Sequence, residues 1–64
     1  MREYYIIQIV DYYNHITVTV EQEFDTYEEV VNYIIEQYDD LEQLNDWSWT
    51  DGHDLYQIMP CIDY

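Results

Sequence analysis

The stretch TYEEVVNYIIEQYDDLEQL, residues 26–44, decides the fold. Thr26 followed three residues later by Glu29 is a capping box, in which a hydroxyl and a carboxylate satisfy the free backbone N–H groups of a helix start. From Tyr27 to about Leu44 the apolar residues recur at helical spacing. At about 100° per residue, Tyr27, Val30, Val31, Tyr33, Ile34, Tyr38, Leu41 and Leu44 share one arc. Glu28, Glu29, Glu36, Asp39, Asp40 and Glu42 fall on the opposite arc, with Asn32 and Gln43 among them. Ile35 projects at the edge of that acidic arc. The pattern predicts one amphipathic helix whose apolar side faces a core.

The flanking segments read as strands. Tyr4–Val10 is mostly β-branched and aromatic and predicts an interior strand. Asp11–His15 is a polar turn. Ile16–Phe24 alternates, with Ile16, Val18, Val20 and Phe24 on one side and Thr17, Thr19, Glu21 and Glu23 on the other. That is a half-buried strand, and it should form a hairpin with the first. Beyond the helix, Trp47–Thr50 and His53–Met59 flank Asp51-Gly52, a two-residue hairpin signal. Such a turn sets Trp47 opposite Tyr56 and Trp49 opposite Asp54, and it puts Trp47, Trp49, Tyr56 and Ile58 on one face. Pro60 ends the strand. The expected fold class is α+β: a small antiparallel sheet with one helix packed on one face. Its order is ββαββ, or ββαβ if Trp47–Thr50 is an irregular extension of the helix. Residues 1–64 form a single compact domain.

The chain carries 15 Asp and Glu against one cation, Arg2, for a formal net charge of −14. Small soluble domains carry a net charge of magnitude about 2–8. One arginine builds no basic patch, so direct binding to nucleic acid or to an anionic membrane surface is excluded. Salt bridges cannot hold the fold together either. The charge does not signal disorder, because 48% of the residues are apolar and 19% aromatic. Cys61 stands alone, which excludes an internal disulfide and a cysteine-based zinc site and fits a reducing cytoplasm. The N-terminus shows no signal-peptide core, and Ile6–Val10 is too short to span a membrane. Asp46–Asp54 does not fit a calcium loop, because Trp47 and Trp49 stand where oxygen ligands should alternate. His15 and His53 read as turn residues, and Tyr12 and Tyr13 as exposed turn residues. No nucleophile–base arrangement is visible, and a domain this small offers little room for a deep pocket. The expectation is therefore a non-enzyme without cofactor or metal.

The acidic arc needs an account. Glu28 and Glu29 in the first turn suit the positive end of the helix dipole, but Glu36, Asp39, Asp40 and Glu42 lie toward the negative end. Glu36 and Asp40 are like charges at i,i+4, which repel by a few tenths of a kcal/mol, on the order of 0.2–0.5. Glu21 and Glu23 project from one side of the predicted strand. Carboxylates held at spacings of about 6–7 Å imitate the regular charges of a nucleic-acid backbone.

Small size, extreme acidity and an α+β pattern together resemble the DNA-mimic inhibitors made by bacteriophages and mobile elements. That group includes anti-CRISPR proteins, anti-restriction proteins and uracil-DNA glycosylase inhibitors. The residues that carry the resemblance are Glu21, Glu23, Glu28, Glu29, Glu36, Asp39, Asp40, Glu42 and Asp46, with Ile35 as an apolar anchor among them. Anti-CRISPR proteins come first within the group. The resemblance implies a monomer in the cytoplasm of a bacterial host that occupies the basic DNA-binding surface of a CRISPR effector subunit. The effector would be blocked where it reads the protospacer-adjacent motif, since such sites use arginines. The resemblance implies no contact with nucleic acid, no membrane and no cofactor. Two other readings stay open: a mimic aimed at a restriction enzyme or uracil-DNA glycosylase, and an acidic protein-interaction domain that is not a mimic and binds through a Tyr/Trp sheet face.

Overall fold

Six elements follow one another along the chain: β1 (Arg2–Asp11), β2 (Ile16–Thr19), α1 (Tyr27–Gln37), β3 (Glu42–Asn45), β4 (Ser48–Thr50) and β5 (Asp54–Asp63). The structure is a computed structural model that describes residues 1–64. The five strands form one antiparallel sheet in the order β2-β1-β5-β4-β3. The fold class is α+β, with the helix against one face of the sheet, as the pattern predicts. No helix is long and apolar enough to cross a membrane.

The centre of the sheet is the pairing of β1 with β5, continuous from Arg2 with Asp63 to Asp11 with Asp54. Cross-strand partners share a face. Ile7 with Ile58 and Trp49 with Tyr56 therefore point together toward α1, where they meet Phe24, Val30 and Ile34. These seven residues are the whole buried core. Tyr5, Ile9, Val20, Tyr27, Val31, Tyr33, Tyr38 and Leu41 pack around them. The opposite face carries Tyr4 with Cys61, Ile6 with Met59 and Val10 with Leu55 and has no helix over it. The face bearing Trp49 and Tyr56 is thus the interior of the protein.

The hydroxyl half of the capping box forms, without a return bond from the Thr26 N–H to the Glu29 carboxylate. The Thr26 hydroxyl accepts the Glu29 backbone N–H at 3.1 Å. The helix then ends at Gln37, seven residues short of the predicted end, and Tyr38 takes extended backbone angles. The cause is the charge that the sequence pattern left unexplained. The last turn has no basic residue, and Asp39 and Asp40 would extend the helix into its own negative pole. Asp40 instead adopts a left-handed conformation (φ 56°) that turns the chain. The acids at Glu36 and Asp40 are therefore not an i,i+4 helical pair. Residues 42–45 become a strand, so the order is ββαβββ. Leu44, expected on the apolar arc, is exposed.

One register and the continuity of one strand differ from expectation, each by two residues. Trp49 pairs with Tyr56 rather than Asp54, because the β4–β5 loop is longer than Asp51-Gly52 alone. The Asp51 carboxylate holds that loop by accepting the backbone N–H groups of His53 and Asp54, and Gly52 supplies φ +90°. The run Ile16–Phe24 is also not one strand. Val18 pairs with Ile9, and Phe24 bridges Tyr5, so two extra residues are accommodated between them. Glu21 and Glu23 consequently do not project from a regular strand. A two-residue shift returns each side chain to its original face, so Trp49 and Phe24 still reach the core. Ile16 and Val18 are on the predicted face but exposed, since α1 leaves β2 uncovered.

Pro60 does not end β5, which continues to Asp63. Its partner Tyr5 gives both its N–H and its C=O to Phe24 on the other side. Tyr5–Pro60 is therefore a non-hydrogen-bonded pair, and the missing proline N–H breaks no rung toward β1.

A core this thin tolerates little loss. Ile34 is fully buried, and truncating a buried isoleucine to alanine removes about 2–5 kcal/mol. Ile34→Ala should leave the chain largely unfolded by circular dichroism at 25 °C, whereas Ile35→Ala, on the exposed side of the same helix, should shift the urea midpoint only slightly.

Candidate functional site

The predicted binding residues are all on the surface or its rim. Glu28, Glu29 and Glu36 stand on the outer face of α1 with Ile35. Asp39 and Asp40 occupy the turn after the helix, Glu42 opens β3, and Asp46 lies in the β3–β4 turn. The Asp46 backbone carbonyl accepts the Tyr27 hydroxyl, which ties that turn to the helix start. Glu21 lies in the irregular segment after β2. Glu23 is committed elsewhere, because Arg2 donates to it at 2.8 Å and reaches Asp25 at 3.5 Å.

The early end of the helix brings three of these residues together. Ile35, Asp39 and Asp40 line an open cleft of about 470 Å³ with Tyr38, Leu41, Gln43 and Trp49. Trp49 forms its buried floor and Ile35, 60% exposed, one wall. Tyr38 is held by its ring contact with Tyr56, 4.5 Å between centroids. The last helical rung runs from the Tyr38 N–H to the Ile34 carbonyl at 3.2 Å. The carbonyls of Ile35, Glu36 and Gln37 receive no backbone N–H, so the negative pole of the helix opens beside the cleft. Glu21, Glu23, Glu28, Glu29, Glu36, Glu42 and Asp46 do not line it.

The surface is electrostatically one-sided. Of 15 acids, Glu23 and Asp25 pair with Arg2 and Asp54 pairs with His53, which leaves twelve outside any ion pair. Spread over 4584 Å² of accessible surface, those charges repel one another in the folded state.

One constellation was not visible in the sequence. Asp11, His53 and Asp54 meet at the far end of the β1–β5 ladder, with their ligand atoms within 4.8 Å of one another. Asp11 and Asp54 are direct cross-strand partners, a juxtaposition of like charges that only the register reveals. Chemically the set offers two carboxylates and an imidazole, donors that suit a divalent cation or a shared proton. It already holds its internal contacts. His53 Nδ1 lies 2.9 Å from Asp54, and Asp11 accepts from the backbone N–H groups of Tyr13 and Asn14 and from the Asn14 amide. The Asn14 side-chain bond, foremost, holds the Asp11 carboxyl below its ordinary value. The bond to Asp54, reinforced by the charges of Asp54, Asp11 and Asp51, raises His53 above 6.5. Nearby, burial and the Asp51 carboxylate push the Tyr56 phenol up to about 12.

Two outcomes follow from these charges. A raised histidine value stabilises the fold fully below pH 6.5 and loses that contribution as the pH climbs through the folded value. An NMR titration should place the His53 midpoint above 6.5, and Asp54→Asn should move it back down. Because repulsion outweighs pairing, added sodium chloride should raise the melting temperature by several degrees, whereas a fold held by ion pairs would lose stability. Set against models of protein families, curated proteins and solved structures, the chain matches none.

Proposed function

We propose that the protein is an acidic DNA-mimic inhibitor that occupies the basic DNA-binding site of a host protein, a CRISPR effector before any other. The observation that supports this reading is the set of twelve acids outside any ion pair on a 64-residue chain with one arginine. A seven-residue core is a narrow margin on which to maintain such repulsion, and a basic partner would relieve it. The acidic field would steer the encounter at long range, with a rate that falls as salt rises. At contact, carboxylates of the helix face and the turns beyond it would pair with lysines and arginines that otherwise grip phosphates. Steric and electrostatic occlusion needs no covalent step and no cofactor.

Competition tests the reading. A protein captured from bacterial lysate on the immobilised chain should be released by excess duplex DNA, and Glu36→Lys/Glu42→Lys, at exposed positions outside both the cleft and the left-handed turn, should capture it much more weakly while remaining folded. Retention in the presence of excess duplex would sink the proposal. Release of a restriction enzyme or a glycosylase would keep mimicry and change the target.

A further inference from the structure

The cleft at the end of α1 combines features that the inhibitor reading alone does not require. An electrostatic mimic needs carboxylates in solvent. Asp39 and Asp40 are exposed as well, but they share an open cleft with the apolar side chains of Ile35, Tyr38 and Leu41, the buried Trp49 and the Gln43 amide. A metal ion would find too few oxygen ligands among those side chains. An anion is excluded by the two carboxylates and the helix pole. A hydrated ammonium gains little from apolar walls, because lysine keeps its charge as a compact, strongly hydrated point. A guanidinium fits each feature. It is planar and weakly hydrated, it takes carboxylates through several N–H groups, and it rides on a long aliphatic stem. The chain supplies no such group itself. Its one arginine is tied to Glu23 and Asp25 and over the Tyr4 ring, and the last helical turn has no basic residue.

We propose that this cleft receives one arginine side chain of the partner, its stem against Ile35, Tyr38 and Leu41 and its head between Asp39 and Asp40. The identity of that partner as a DNA-binding protein rests on the inhibitor reading. The cleft would give the interface a point of register, where the rest of the acidic surface gives attraction without direction.

The test uses the full chain and defined probes: capped Gly-Arg-Gly, the same peptide with lysine, and the same with citrulline, the neutral isostere of arginine. In NMR titrations at low ionic strength, the arginine peptide should shift the Trp49 indole and the Ile35 and Leu41 methyl signals saturably. Lysine should bind more weakly and citrulline not at all. Asp39→Asn/Asp40→Asn removes the charges while Asn still tolerates the left-handed backbone at position 40, and it should weaken binding by about tenfold or more. Glu21→Gln/Glu28→Gln removes as much charge away from the cleft and should change binding by no more than about twofold. Citrulline or lysine binding as well as arginine, equal losses in the two double variants, or no saturable shift would each overturn the assignment. Competition with duplex DNA is read separately. Release of the partner by DNA without cleft titration overturns the cleft alone. Cleft titration by arginine with a partner that DNA does not release supports the cleft and overturns mimicry.

Discussion

Everything in this fold hangs from the ladder between β1 and β5. Ion pairing is closed to a chain with one arginine, so backbone hydrogen bonds and apolar contact have to hold it together. The ladder provides both at once. It pairs ten residues on each strand, and at its middle it sets Ile7 against Ile58 beneath the helix. β2 attaches to its outer side through β1, β4 attaches through β5, and β3 attaches in turn to β4. α1 has no surface to cover until that ladder exists, since Val30 and Ile34 are buried against residues that β1, β4 and β5 bring together.

The fold class was legible because two periodicities are clean. Alternation marks the strands, and the capping box with Val30 and Ile34 marks the helix. Boundaries were harder, for an identifiable reason. Asp39, Asp40 and Glu42 sit where a continued helix would repel them, and such a conflict can mean a functional surface or a helix that stops. The apolar spacing of Tyr38, Leu41 and Leu44 argued for continuation. In the structure the helix stops, and Tyr38, in extended backbone, and Leu41, just before β3, pack against the core from beyond the helix end. Unfavourable electrostatics at a predicted helix end is itself a terminator, and the left-handed Asp40 shows how the chain leaves.

The surface was legible in kind rather than arrangement. Acids and amides dominate the exposed side of α1 as read, and the β4–β5 register slipped by two while the run Ile16–Phe24 took up two extra residues, even numbers that preserved the faces. What no local pattern could show is which separate residues converge. The cleft depends on the chain doubling back to lay β3 beside β4, and the Asp11–His53–Asp54 group depends on pairing across more than forty positions of sequence. The register of Asp51-Gly52 could not be read because Asp51 captures two backbone N–H groups and enlarges the turn.

The ladder also sets a timetable. Its partners are separated by 43 positions at one end, Asp11 with Asp54, and by 61 at the other, Arg2 with Asp63. No short hairpin contains the core, because Ile7 waits for Ile58. Non-local pairing of this kind is slow, on the order of milliseconds to seconds in small β-rich domains. A ribosome adding roughly 5–20 residues per second would hold an acidic, unfolded chain until β5 emerges, after which the domain can close in one cooperative step. The mutual repulsion that weakens the finished fold would then act as a safeguard, keeping nascent chains apart while their strand edges are still open.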